Sequence, residues 1–146
     1  NNIIEINNYQ TIDINTETQY INNIKIIWNN FNGYLFQAFK EISNIIEVDL
    51  SKLNVPVTNM GDLFWSCTSL KNVNLTNFDT SLNTNMGHTF TNCIYLISLD
   101  LSFLDTSNVQ YMDNMFLNCI SLKSLNLSNL QQMFLVLIIY LKIVLL

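Results

Sequence analysis

Glycine, proline and basic side chains are scarce in this chain, and each shortage closes off a class of protein. Three Gly and one Pro among 146 residues leave Asn, Asp, Ser and Thr to make the turns. Six Lys plus Arg against eleven Asp plus Glu, a net charge of −5, supply no phosphate-binding face, which argues against nucleic acid as a partner. Three Cys is an odd number, too few for a disulfide scaffold, and no CxxC or Cys/His cluster suggests zinc. Neither an initiator Met nor a charged-then-apolar leader is present, so the start is expected to be missing.

What remains describes a domain with a core. Apolar residues make up 49% and charged residues 12%, which fits neither a disordered tail nor a polyelectrolyte. The length suffices for one domain. Asn occurs 24 times and Ile 18 times, which reads as A/T-rich coding before it reads as selection.

The main feature is a repeat. Residues 60–78 read MGDLFWSCTSLKNVNLTNF, 86–104 read MGHTFTNCIYLISLDLSFL, and 112–130 read MDNMFLNCISLKSLNLSNL, so Cys67, Cys93 and Cys119 recur every 26 residues. An earlier copy, FKEISNIIEVDLSKL (39–53), fits one residue closer. A fixed period of this size predicts a solenoid in which each turn buries its apolar residues against its neighbours. Within a copy, Leu70, Val73, Leu75 and Phe78 follow L-x-x-L-x-L-x-x-Φ spacing. Val73 and Leu75 share one side of a strand, and Asn72, Asn74 and Thr76 the other. Asp79 and Asp105 open DTS turns. Met86, Phe90 and Cys93 fall at i, i+4 and i+7, which predicts a short helix or helical turn, and both other copies repeat the pattern.

These phrases resemble a known family. The L-x-x-L-x-L strand is that of leucine-rich repeats. The fuller MFLNCISLKSLNLSNL, with LDTSNV before it, is similar to the BspA-type leucine-rich-repeat surface proteins of bacteria and some protists, over roughly residues 31–130. One departure is that Phe78, Leu104 and Leu130 stand where an Asn usually bonds the loop backbone. The resemblance implies a right-handed α/β leucine-rich-repeat superhelix, here about four turns of 25–26 residues. It also implies a surface-exposed adhesive or ligand-binding role at the cell surface or outside the cell, with no catalytic residues.

The expected domain organisation has three parts. Residues 1–30 alternate in short apolar pieces and read as a β-rich cap, with IKIIW (24–28) closing the stack and Trp28 covering the core. Residues 31–130 are the repeats, beginning with a helical spacing at Leu35, Phe39 and Ile42. Residues 131–146 contain a 14-residue apolar run broken by Lys142, short of the ~20 needed to span a bilayer as a helix. Suitable codons for 138–146, read one base earlier, give Asn-Tyr-Ile-Phe-Lys-Asn-Cys-Ser-Ser, which matches DNMFLNCIS (113–121). The tail is therefore expected to be a fourth repeat translated out of frame. A truncated membrane helix and a true core strand are the alternatives.

The candidate ligand-binding residues are the outward columns of the strands: Asp49, Asn72, Asn74, Thr76, Ser98, Asp100, Ser102, Ser124, Asn126 and Ser128. They form either a recognition surface for a protein or glycan or a solvated face whose members bond one another. Two carboxylates about two strand spacings apart, roughly 10 Å, make a poor calcium cage, so neither metal nor cofactor is expected. The Cys column reads as small buried apolar residues. His88, the only His, shares a column with Asp62 and Asn114 and looks exposed. It has no Ser or Cys at a fixed relation, so an enzyme is not expected, and His88→Ala should barely matter to stability. Trp65 reads as partly buried on a helix surface or as a partner anchor. The sequons at Asn74 and Asn126 are what chance provides in a chain this rich in Asn, Ser and Thr. The function the resemblance favours is a cell-surface recognition or adhesion module that makes no membrane contact of its own. An intracellular protein–protein scaffold and a degenerate gene fragment are the alternatives.

Overall fold

The computed structural model describes residues 2–7, 24–29, 33–53 and 55–128. Among these residues, six short strands form three parallel pairs. β1 (Asn2–Asn7) pairs with β2 (Ile24–Asn29), β3 (Glu47–Asp49) with β4 (Asn72–Asn74), and β5 (Ser98–Asp100) with β6 (Ser124–Asn126). In the repeat region the registers are Glu47↔Asn72 and Ser98↔Ser124. Equivalent residues of successive copies therefore lie side by side. The middle residue of each strand points inward, with Val48 and Leu99 buried and Val73 and Leu125 half-buried, and its polar neighbours are exposed. Residues 131–146, expected to be an out-of-frame fourth repeat, and the side chain of Trp28 lie outside the described residues.

The expected α/β leucine-rich-repeat solenoid is not what the chain forms. Among the described residues there is no helix, and the strands of the repeats close into two separate pairs rather than one continuous superhelical sheet. The cause lies in the backbone of the segments read as helical. Asp62 and Ser66 have φ of 53° and 59°, His88 and Asn92 56° and 61°, and Asn114 and Asn118 52° and 61°. Gln37 and Glu41 repeat the pair in the first copy, at 61° and 64°. A left-handed residue every fourth position cannot belong to a right-handed helix.

The hydrogen bonds follow from that geometry. Alternate N–H groups close tight turns, as Leu63 N does to Met60 O and Cys67 N to Phe64 O. The others donate to the next copy: Asp62 N to Gly87 O at 2.9 Å, Phe64 N to Thr89 O at 2.8 Å, and Ser66 N to Thr91 O at 2.8 Å. A helix consumes those groups internally and could not make these rungs. The column of Phe78 and Leu104 is 2% exposed, an apolar filler where leucine-rich repeats carry a loop-bonding Asn.

The core is a set of columns. The rings of Phe39, Phe64, Phe90 and Phe116 stack in sequence, with centroids 5.1, 5.4 and 5.7 Å apart. Beside them, Met60, Met86 and Met112 are buried with Leu70, Leu75, Leu96 and Leu101, while Leu122 and Leu127 of the last copy are half-buried. Corners are closed by Asx turns, in which a side-chain oxygen accepts from the backbone N–H two residues on. Asn59 holds Gly61, Asp79 holds Ser81, Asn85 holds Gly87, and Asp105 holds Ser107, all between 2.8 and 3.0 Å. That is how the chain turns with so little glycine and proline. Where it does use a glycine with positive φ, Gly33 at 85°, a Cβ would collide with the carbonyl oxygen of Pro56.

Candidate ligand-binding face

The ten residues singled out in the sequence lie on the outer face of the strands and at their C-terminal corners. Asp49, Asn72, Asn74, Ser98, Asp100, Ser124, Asn126 and Ser128 are exposed, and Thr76 and Ser102 are half-buried. Many have structural duties. Asp49 Oδ1 accepts from Ser51 N at 2.9 Å, Asn74 Oδ1 from Thr76 N at 3.1 Å, Asp100 Oδ1 from Ser102 N at 2.8 Å, and Asn126 Oδ1 from Ser128 N at 3.2 Å. The Asp/Asn column is thus a row of Asx turns, one per copy. Those bonds, first from the Ser side chain and then from its N–H, hold the carboxyls of Asp49 and Asp100 below the usual Asp range. Both are therefore ionised at neutral pH. Asn72 Nδ2 donates to Glu47 Oε1 at 2.8 Å, a cross-strand pair.

Half of the ten also converge. Asn72, Ser98, Asp100, Ser124 and Asn126 line a depression of about 310 Å³ together with Val73 and Leu99. It spans β4, β5 and β6, and β4 and β5 belong to different sheets. Asp49, Asn74, Thr76, Ser102 and Ser128 lie outside it. Sequence reasoning missed Val73 and Leu99 as site residues, because inward alternation marks them as core.

The other candidates resolve into structure. The thiols of Cys67, Cys93 and Cys119 are free and buried, and each donates to the carbonyl of the preceding copy's Phe: Phe39 O at 2.9 Å, Phe64 O at 3.2 Å and Phe90 O at 3.0 Å. Burial pushes Cys67 and Cys119 up to about 12 and raises Cys93 as well. Trp65 is half-buried with Lys40 Nζ 4.2 Å from its ring centroid, and Lys40 also reaches Asp62 at 3.7 Å.

His88 has partners that spacing did not show. Its Nε2 lies 3.0 Å from Asp113 Oδ2, and its Nδ1 3.4 Å from Thr91 Oγ1. Hydroxyl, imidazole and carboxylate in that order suggest a triad, but the Thr91 proton goes to Asn114 O at 2.7 Å and Thr91 is 3% exposed. A hydroxyl that is committed and covered cannot attack a substrate. Among the described residues, no group of three or more His, Cys, Asp or Glu is placed to hold a metal ion.

No curated protein and no solved structure matches the chain. One family model does, over residues 33–137, which takes in every copy of the repeat. The chain therefore belongs to the BspA-like repeat family described as Mycoplasma protein of unknown function, DUF285.

Proposed function

We propose that this chain is a non-catalytic recognition or adhesion module of a BspA-like cell-surface protein, and that it binds a protein or glycan ligand through the polar face of β3–β6. The observation that carries the reading is the convergence of five short hydrogen-bonding side chains from three strands on one depression. Repetition supports it, because it multiplies similar polar groups along the face at strand spacing. A module of this kind gains affinity from many modest contacts.

Two measurements test it. Antibody raised against the chain is expected to label intact cells of the source organism; labelling only after permeabilisation favours an intracellular scaffold. Beads coated with the chain are expected to adhere to cultured cells. The double variant Ser98→Arg/Ser124→Arg, which leaves every Asx turn intact, is expected to lose most of that adhesion. Undiminished adhesion by the variant removes the sheet face from the reading.

A further inference from the structure

We propose that Tyr95 and Ile97 form a docking patch for a partner protein, an assignment that rests on the recognition role proposed above. The patch takes a short segment in which an apolar side chain stands beside carboxylates. Tyr95 and Ile97 are 57% and 48% exposed, while Leu96 between them is fully buried. The two side chains therefore leave the stack on one outer side, immediately before β5. Their copy, residues 86–104, lies between two others, so this exposure is not that of a stack end.

Single exposed apolar side chains are ordinary on a protein surface. Comparison with the neighbouring copies sets this pair apart. Where this copy has Tyr95, the adjacent copies have Ser69 and Ser121; where it has Ile97, they have Lys71 and Lys123. The inward residue between them does not change, being Leu70, Leu96 and Leu122 in turn. Stacking thus proceeds with polar residues at both outer positions, and folding requires neither the ring nor the isoleucine. Covering the pair with a partner removes from water apolar surface that the fold leaves there, and Tyr is among the residue types that dominate protein–protein hot spots.

The two lysines set the sign of the partner. Lys123 N donates to Ile97 O at 2.9 Å, which places Lys123 beside Ile97, and Lys71 holds the same position in the copy before. Both are exposed, and neither belongs to the ion pairs found among the described residues, Lys40–Asp62 and His88–Asp113. Glu47, the carboxylate opposite Asn72, bonds to that amide rather than to Lys71. Two ammonium groups without counter-charges, flanking an apolar centre, complement carboxylates that flank an apolar side chain.

An anionic bilayer fits less well. Lipid-binding clusters carry about 4–8 Lys or Arg, whereas only Lys71 and Lys123 flank this patch. Asp49 and Asp100 stand further along the same strands, and the chain as a whole is at −5.

The test is selection of a displayed library of random short peptides on the full chain. The selected peptides are expected to carry Asp or Glu next to an apolar residue. Tyr95→Ser/Ile97→Lys gives this copy its neighbours' residues, so the fold is expected to be retained by circular dichroism while peptide binding falls at least tenfold. Lys71→Glu/Lys123→Glu is expected to cause a similar loss for acidic peptides. Phe103→Asn, at an exposed apolar position of the same copy past the strand, is expected to stay within twofold of wild type. Peptides without acidic preference, or binding that survives either double variant, overturn the patch. Binding to phosphatidylserine vesicles with no peptide selected overturns the protein partner in favour of a bilayer. The bead assay keeps the two readings apart: adhesion lost in Ser98→Arg/Ser124→Arg but intact in Tyr95→Ser/Ile97→Lys removes the patch and leaves the recognition face standing.

Discussion

Phe90 lies between Phe64 and Phe116, its ring 5.4 Å from the first at 17° and 5.7 Å from the second at 1°. It is fully buried and so contributes both burial and two stacking contacts. Phe90→Ala opens a cavity in the middle of the column and is expected to cost about 3–5 kcal/mol. Phe90→Leu keeps most of the volume and is expected to cost clearly less. Urea midpoints of the two variants check this, and equal losses would show that the column is not packed as a stack.

Asn83 presents the opposite case. It is fully buried, and both side-chain polar atoms lack a partner. Its column is otherwise valine, with Val57 and Val109 buried one copy away on either side. An unpaired buried amide costs about 1–3 kcal/mol, so Asn83→Val is expected to stabilise the chain by about that amount. A neutral or lowered melting temperature would mean that the amide is hydrogen-bonded in solution.

Buried thiols make a third expectation. Cys67, Cys93 and Cys119 are buried, with the thiols raised by desolvation, so little thiolate forms at neutral pH. Alkylation by iodoacetamide is expected to be negligible in the native chain and complete in urea. Fast labelling of any one thiol under native conditions would show that its column opens.

What could be read from the sequence was the period and the two sides of each strand. The 26-residue recurrence placed Cys67, Cys93 and Cys119 in one column, and alternation placed Asn72 and Asn74 outside Val73. The helix was misread because Met86, Phe90 and Cys93 suit two backbones equally. One is a helix. The other is a run of turns with left-handed corners at His88 and Asn92. Apolar spacing is blind to that difference. The faint clue was polar: Asn92, Asn114 and Asn118 are residues that tolerate left-handed φ, but Gln37, Glu41 and Ser66 at equivalent places blurred it. The depression was illegible for another reason. It depends on where pairing between strands stops, at β4 and β5, and every copy has nearly the same strand sequence.

Those left-handed corners carry their own prediction. His88 has φ of 56° and pairs with Asp113, so His88→Ala is not the neutral change its exposure suggests. It removes the contact with Asp113 and keeps the left-handed strain of a non-Gly residue, so it is expected to lower the melting temperature, whereas His88→Gly relieves that strain, of roughly 1–2 kcal/mol, and is expected to be tolerated better. Ser66, at φ 59°, shares a column with Asn92 and Asn118, and Asn118 Nδ2 already donates to Asn92 Oδ1 at 2.8 Å. Asn92 Nδ2 in turn donates to Ser66 Oγ at 3.2 Å, so Ser66→Asn keeps an oxygen acceptor at the end of that ladder, adds a residue type that tolerates left-handed φ, and is expected to stabilise. Thermal melts that rank Ala above Gly at position 88 would contradict the left-handed assignment.

The Asx turns tie stability to acid. Asp49, Asp79, Asp100 and Asp105 each have a carboxyl lowered from 3.8, first by the side chain and then by the N–H of the Ser two residues on. A depressed native pKa means that the unfolded chain binds protons more readily. The stabilisation is therefore complete above the unfolded value of 3.8 and is lost as pH falls below it through the native values. Asn74 and Asn126 make the same turn with an amide oxygen, which does not titrate. Asp49→Asn/Asp79→Asn/Asp105→Asn is thus expected to keep the fold at neutral pH and to flatten the decline in urea midpoint as pH falls below about 4. An unchanged acid slope in that variant would show that the carboxylates at these corners do not hold the turns, and that the backbone closes them unaided.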